Sequence, residues 1–184
     1  MTTPRLVEHF VRHDYGRLVA TLTRRVGFRH IEVVEDAVQS ALMAALSAWT
    51  EQSLPADPGA WLYKAAYNQL IQALRRESRR LKIRHDAAEE LGERIDDAVS
   101  ARFADEIRDD MLRMLFVCCD ESIPRESQLV LALKTLCGFS TAEIALRLFT
   151  SEASIHKRLG SARVRLRESA PDMAHHRSTN SGPG

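Results

Sequence analysis

A group of cationic and hydrogen-bonding side chains lies near the end of the chain, within residues 152–165. One helix could present all of them outward: Glu152, Ser154, His156, Lys157, Arg158, Arg163 and Arg165. Arginine and lysine bind phosphates and base edges in the major groove of DNA, and neighbouring polar side chains can add base contacts. This set therefore predicts recognition of duplex DNA. A helical hairpin with a solvated basic face is the alternative.

A short helix and a tight turn would position this set. Ser140 precedes an apolar helical run and Glu143 follows three residues later, the pattern of a reciprocal N-terminal cap. A second helix is expected to start at Ser151, with an inward face formed by Ile155, Leu159, Ala162 and Leu166. Two such helices joined by a turn are typical of a helix-turn-helix, whose second helix enters the major groove.

A second basic surface is predicted on a long helix from about residue 58 to 85. Polar and cationic residues recur along the side opposite its apolar face, namely Lys64, Asn68, Gln72, Arg75 and Arg79. The segment ends in RRESRRLKIRH, in which six of eleven residues are Lys or Arg. This density could neutralise several phosphates. The same density of cations is explained equally well by their favourable interaction with the negative C-terminal end of the helix dipole.

The preceding helix carries acids instead of bases. Its apolar residues recur at helical spacing and predict one packed side, formed by Val34, Val38, Ala41, Leu42, Ala45 and Trp49. Glu35, Asp36 and Gln39 occupy its other faces. We expect these three side chains to be free to bind a partner.

The composition predicts an all-α protein. Helical periodicity dominates the 184 residues, and no alternating strand pattern lasts more than a few residues. No nucleophile–base pair, phosphate-binding glycine loop or metal cluster is recognisable, so we expect no enzyme, cofactor or metal. The three cysteines, Cys118, Cys119 and Cys137, are expected to be buried thiols. Neither a membrane span of roughly 18 apolar residues nor a signal peptide is present, which predicts a cytoplasmic protein.

Changes in composition divide the chain into two small helical domains. Residues 1–85 form the first, and residues 86–108, with eight acids against three arginines, are predicted to be an acidic linker or a loosely held helix. The second domain is expected at residues 109–169, where one helical face is predicted from Met111, Leu112, Leu115 and Phe116. Residues 170–184 are polar and are expected to be a disordered tail.

With these motifs in this order, the chain resembles an extracytoplasmic-function sigma factor, a minimal two-domain member of the sigma-70 family. VEDAVQSALMAALSAW, at residues 34–49, is similar to the polymerase-binding helix of that family, and AWLYKAAYNQLIQALRR, at residues 60–76, to its promoter-melting helix. FVCCDESIP, GFSTAEIA and SEASIHKRL are similar to a subgroup that usually carries a long helical-repeat extension. Here a short polar tail follows instead.

The resemblance implies a non-enzymatic subunit that binds core RNA polymerase and promoter DNA, under possible control by an anti-sigma factor or other regulator. It assigns polymerase binding to Glu35, Asp36 and Gln39. It assigns duplex recognition of the upstream (−35) element to Glu152, Ser154, His156, Lys157, Arg158 and Arg163. It assigns strand separation at the start-proximal (−10) element to Lys64, Asn68, Gln72, Arg75, Arg76 and Arg79.

Five residues depart from the family pattern. Val33 and Gln72 stand where aspartates are common, Tyr67 where arginine is common, and Phe149 and Ala153 where glycine is common. Two other functions therefore stay open. A conventional helix-turn-helix regulator would bind an operator as a dimer without polymerase. A partner-binding module would bind polymerase without starting transcription.

Overall fold

The computed structural model describes residues 3–50, 53–82 and 103–169, and within them the chain forms seven α-helices and no strand. The helices are α1 (Thr3–Val26), α2 (Ile31–Ala48), α3 (Pro58–Lys82), α4 (Phe103–Cys118), α5 (Arg125–Thr135), α6 (Thr141–Arg147) and α7 (Glu152–Ser169). The predicted all-α class is confirmed. The last residues of RRESRRLKIRH, most of the predicted linker and the predicted tail lie outside the described residues.

The helix boundaries follow local signals in the sequence. Gly27, with φ of 89°, ends α1 because this left-handed backbone suits a residue without Cβ. Asp57 precedes α3, and its Oδ1 accepts the Ala60 N–H at 2.9 Å, as an N-terminal cap does. α4 begins at Phe103, inside the segment 86–108 that the composition predicts to be a linker or a loosely held helix.

α2 lies at the centre of the N-terminal half and packs against both α1 and α3. All six of its predicted core residues are buried: Val34, Val38, Ala41, Leu42, Ala45 and Trp49. From α3, Leu62, Ala66 and Leu70 are fully enclosed, which leaves the opposite side of α3 facing solvent. The Trp49 ring meets the half-buried Trp61 edge-on, with centroids 5.3 Å apart, a favourable aromatic geometry.

In the C-terminal half, α7 packs on α5 and α6. Its predicted inward residues Ile155, Leu159, Ala162 and Leu166 are all buried. The predicted cap of α6 is confirmed, since the Glu143 N–H donates to Ser140 Oγ at 3.2 Å and the Ser140 N–H donates to Glu143 Oε2 at 2.8 Å. These hydrogen bonds hold the Glu143 carboxylate and keep its pKa below the ordinary value.

Replacing Ser140 with alanine is expected to lower the free energy of unfolding by about 1 kcal/mol, because the reciprocal hydrogen bonding of the cap is broken. Thermal unfolding measures this loss. Because the Glu143 pKa is lowered in the folded protein, the carboxylate's stabilisation is present above its ordinary pKa and is lost as pH falls through the lowered one. Ser140→Ala keeps the backbone N–H, which is the largest cause of the lowered pKa, and removes only the hydroxyl, so the difference between wild type and variant should shrink only in part in acid. An unchanged free energy of unfolding at neutral pH would argue against the cap.

The turn between α6 and α7 has an unusual backbone at Phe149. Its φ is 51°, in the left-handed region that non-glycine residues seldom adopt, and the residue is 97% exposed. Glycine adopts this backbone conformation more readily than any other residue. Phe149 adopts the backbone conformation of the turn, but its side chain does not pack against the rest of the described chain.

α4 joins the two halves by packing against α1. Met114 and Cys118 are buried there, and Asp110, also buried, accepts a hydrogen bond from Arg24 Nη1 at 3.0 Å. The predicted inward face of α4 is therefore wrong for three of its four residues, which instead lie exposed: Leu112, Leu115 and Phe116. The polar Asp110 belongs to the packed face, so hydrophobicity alone indicated the wrong side.

Candidate functional site

The polar stripe on α3 lies where the sequence places it. All six predicted strand-separation residues are exposed along one helix: Lys64, Asn68, Gln72, Arg75, Arg76 and Arg79. Arg76 Nη2 approaches Gln72 Oε1 at 3.5 Å, a long contact. Since the apolar side of α3 is buried, these polar and cationic side chains form an outward stripe that can follow a phosphate backbone.

The beginning of α7 also faces solvent. Glu152, His156 and Lys157 are exposed, whereas Ser154 and Arg158 are half-buried. The Ser154 N–H donates to Ser151 Oγ at 3.2 Å, which caps the start of the helix. This first turn can therefore approach a groove of DNA without obstruction from the described part of the chain.

Arg158 is held by a residue of α5. Its Nη2 lies 2.8 Å from Glu126 Oε2, and the Glu126 side chain is 76% exposed. Exposed ion pairs contribute little to stability, roughly 0–1 kcal/mol. Arg158 can consequently exchange Glu126 for a phosphate or a base at small cost.

Arg163 does not belong to the exposed set, which corrects the prediction. Its side chain is only 13% exposed. Nη1 donates to Glu32 Oε1 at 2.7 Å, and Nη2 donates to Glu35 Oε2 at 2.6 Å. Arg167, one turn further along α7, donates from Nη2 to Glu32 Oε2 at 3.0 Å. α7 thus contacts α2 of the other half through two arginines.

Glu35 is likewise not free, contrary to expectation. It is 3% exposed, and its Oε1 accepts a hydrogen bond from Thr135 Oγ1 of α5 at 2.9 Å. Burial raises the pKa of Glu35, while Arg163 and the Thr135 hydroxyl offset part of that increase. Asp36 and Gln39 are exposed as predicted. The C-terminal half therefore covers one of the three predicted polymerase-binding residues and leaves two open.

Sequence reasoning missed this contact between the halves, although a signal for it exists. Glu32 and Glu35 are spaced i, i+3 on α2, and Arg163 and Arg167 are spaced i, i+4 on α7. Each pair projects from one side of its helix. Opposite charges in matching pairs on two helices indicate that the helices could meet, but nothing in the sequence says that they do.

Residues 11–80 match the Sigma-70 region 2 family. This part of the chain is similar to Sigma-70 region 2 domains. It contains α2 with its acids and nearly all of α3 with its polar stripe. The matched family is not an enzyme family, which agrees for residues 11–80 with the prediction that the protein is not an enzyme.

The chain is also similar to an uncharacterized protein of Rhizobium meliloti (strain 1021). The two are 37% identical over 144 residues, which is 76% of this chain and 33% of the relative. The chain therefore spans about a third of the length of the curated relative it matches. The aligned part is longer than the region 2 domain, so the similarity extends into the C-terminal half.

The remaining predictions concern cysteines, metals and membranes. Cys118 is buried, which raises its pKa to about 12, but Cys119 and Cys137 are exposed, so the prediction of three buried thiols is wrong for two. In the part of the chain that the structure describes, no group of three His, Cys, Asp or Glu residues could hold a metal ion. None of the described helices is long and apolar enough to cross a bilayer.

Proposed function

We propose that the protein is an RNA polymerase sigma factor of the extracytoplasmic-function type. The observation that carries the proposal is the Sigma-70 region 2 domain at residues 11–80, combined with the outward basic stripe of α3. In this proposal residues 1–85 form a sigma-2-like domain and residues 109–169 a sigma-4-like helix-turn-helix domain. The factor binds core RNA polymerase and directs promoter-specific initiation without covalent chemistry of its own.

α2 binds the polymerase in this mechanism. Asp36 and Gln39 offer an acidic and polar exposed surface, and Glu35 lies beside them. A second protein-binding surface is supported by the exposed apolar row on α4, formed by Leu112, Leu115 and Phe116. Neighbouring exposed apolar side chains are typical of protein–protein contacts. One polymerase could therefore hold both halves of the factor.

α3 acts at the −10 element, where the strands separate. Its exposed Lys and Arg residues neutralise phosphates of one strand, and Asn68 and Gln72 can bond base edges. Unstacking a base costs a few kcal/mol. Contacts that exist only with the separated strand offset this cost, so α3 favours the open over the closed promoter.

α6 and α7 read the −35 element as duplex DNA. The exposed start of α7 enters the major groove, with Lys157 and Arg158 as the strongest candidates for base or phosphate contacts. A bidentate arginine–guanine contact discriminates by about 1–3 kcal/mol. Glu152, Ser154 and His156 lie within the first two turns of the same helix and set preferences at neighbouring base pairs.

Run-off transcription with purified core polymerase tests the proposal. We expect the full chain to form a stable complex with core polymerase and to direct initiation from a cognate promoter carrying separate upstream and start-proximal elements. A dimeric regulator would instead bind duplex DNA specifically without polymerase. A partner-binding module would bind polymerase but start no transcription. Absence of any complex with core polymerase would exclude the sigma factor.

A further inference from the structure

The two cations at the start of α7 differ in whether a carboxylate matches their charge. Arg158 Nη2 lies 2.8 Å from Glu126 Oε2 on α5, and the Arg158 side chain is 31% exposed. Lys157 is exposed and forms no ion pair with any residue that the structure describes. Lys157 therefore approaches DNA as a lone positive charge, whereas Arg158 approaches it with its charge already offset by Glu126.

Glu126 is presented from a well-held segment of the chain. It lies in the first turn of α5, a helix that packs on α7. Just before that turn, Gln128 Nε2 donates to the carbonyls of Asp120 and the buried Ile123 at 2.8 and 3.0 Å, which ties the loop to α5. The backbone of Glu126 thus keeps a set position relative to α7, from which its carboxylate can orient Arg158.

A paired arginine responds differently to a phosphate and to a base. The phosphates of DNA attract any cation, irrespective of sequence. In the pair, the Glu126 carboxylate offsets the guanidinium charge and repels a phosphate, so a phosphate contact requires Arg158 to leave Glu126. A base edge is recognised instead by directional N–H donors. Because a guanidinium has five such donors, Arg158 can bond a guanine with those that Glu126 does not use.

We propose that Glu126 is a specificity-determining residue, which positions Arg158 for a base edge and lowers its attraction to phosphates at random sequences. The inference rests on the proposed function, because it takes α7 as the helix that reads the −35 element. Glu126 contacts no base in this mechanism and acts only through Arg158. Its carboxylate widens the difference in affinity between the upstream element and other duplex DNA, since it penalises the wrong contacts more than the right one.

Glu126 also suits its position for a reason unrelated to DNA. It lies in the first turn of α5, where a carboxylate interacts favourably with the positive end of the helix dipole. That role would change the stability of α5 but not the way in which α7 binds DNA. The salt dependence of DNA binding and the base preference therefore separate the two roles, and thermal unfolding measures the dipole contribution in each variant.

Glu126→Gln removes the charge and keeps a side chain of similar shape. Exposed ion pairs favour their own closed form by up to about fivefold, so the affinity of the full chain for random-sequence duplex DNA should rise by up to about fivefold at low salt. Because Arg158 can then bind one more phosphate, the slope of log affinity against log salt should become steeper by up to about 0.9. Fluorescence anisotropy of a labelled random-sequence duplex, at several salt concentrations, measures both changes.

Glu121→Gln and Arg158→Ala are the matched controls. Glu121 lies just before α5, is exposed and forms no ion pair in the described part of the chain. Glu121→Gln makes the same change in net charge and should keep the parental slope. Glu126→Gln added to Arg158→Ala should change neither affinity nor slope, because no guanidinium remains to be released. An effect of Glu126→Gln that persists without Arg158, or that Glu121→Gln reproduces, would overturn the inference.

Base preference is the second readout. Promoter duplexes with a randomised upstream element are bound by the complex of each variant with core polymerase, and the bound DNA is sequenced. Glu126→Gln and Arg158→Ala should weaken the preference at the same base pair, by up to about fivefold for Glu126→Gln. Glu121→Gln should select the parental sequence. Defects at different base pairs, or a parental preference in Glu126→Gln, contradict the positioning of Arg158 by Glu126.

The two measurements separate this inference from the proposed function, because binding to a random-sequence duplex needs no polymerase. If Glu126→Gln steepens the salt slope only when Arg158 is present, but no variant binds core polymerase, the role of Glu126 stands and the sigma-factor proposal fails. If every variant binds polymerase and Glu126→Gln keeps the parental slope and base preference, the factor stands and the role of Glu126 is overturned.

Discussion

Replacing Arg163 with alanine is expected to lower the free energy of unfolding by about 3–5 kcal/mol, because the change leaves a buried carboxylate without its counter-ion. Glu35 has hydrogen bonds from Thr135 and Arg163 and little contact with water. If the halves separate instead, Glu35 regains water and the loss is limited to the free energy that holds the halves together. Urea denaturation at neutral pH measures the loss.

Arg165→Ala is the matched control for this change. Arg165 lies on the same helix but is exposed, and its Nη1 donates to the Ser122 carbonyl at 2.7 Å. Its replacement should cost about 1 kcal/mol or less. Glu35→Gln added to Arg163→Ala should restore part of the stability, since the buried charge is removed. Equal losses in Arg163→Ala and Arg165→Ala would contradict the importance of the buried pair.

The effect of Arg163→Ala should also depend on pH. Burial raises the pKa of Glu35, so the folded protein keeps this proton at pH values where the unfolded chain has released it. The contribution of Glu35 to the free energy of unfolding therefore falls as pH rises from the ordinary pKa of glutamate through the raised pKa in the folded protein. Arg163 lowers the pKa of Glu35, so removing Arg163 raises that pKa further. The pH range over which this stabilisation is lost therefore becomes wider. The difference between wild type and variant should be largest above the raised pKa and smallest in acid.

Local sequence signals predicted most of the helices and much of the core. Ser140 with Glu143 predicted the start of α6, and Gly27 predicted the end of α1, because caps and left-handed residues act over a few positions. The spacing of Val34 and Val38 predicted the buried side of α2, since periodicity reports one face of one helix. Each of these inferences needs only neighbouring residues.

What the sequence could not show is how the halves meet. Glu35 and Arg163 are 128 positions apart, and each is the type of residue that usually remains in water. Their burial depends on the packing of α2 against the C-terminal half, which neither segment encodes alone. On α4, Leu115 and Phe116 looked like core, but α1 contacts the side that carries Asp110 and Met114. Tertiary contact decided which helix faces became buried.

Replacing both Arg75 and Arg76 with alanine is expected to reduce initiation from duplex promoters by at least about tenfold while leaving polymerase binding unchanged. Both side chains are exposed on α3, so stability should change little. The variant lacks two cations that hold the separated strand. For single strands, each phosphate-binding cation contributes about 0.7 to the slope of log affinity against log salt, so removing two should make the slope shallower by about 1.4. Permanganate reactivity of unpaired thymines measures strand opening directly.

A second double variant distinguishes opening from duplex recognition. Lys157→Ala with Arg158→Ala should lose discrimination of the upstream element by about 1–3 kcal/mol per base contact, or roughly 5- to 150-fold. On a template with a pre-melted start site, the Arg75 and Arg76 variant should recover activity because opening no longer limits it. The Lys157 and Arg158 variant should not recover its preference.

Arg17→Ala with Arg29→Ala controls for the removal of positive charge. Both arginines are exposed and lie outside the three predicted binding sets; Arg17 pairs with Asp14 at 3.4 Å and Arg29 donates to His30 at 2.9 Å. This variant should transcribe like wild type. If it loses activity as strongly as the α3 variant, net charge and not the stripe governs opening. Normal transcription by both the α3 and the α7 variant would refute the site assignment. If instead both variants bind polymerase normally, but one fails to open the start site and the other fails to recognise the upstream element, the factor must contact DNA at two places.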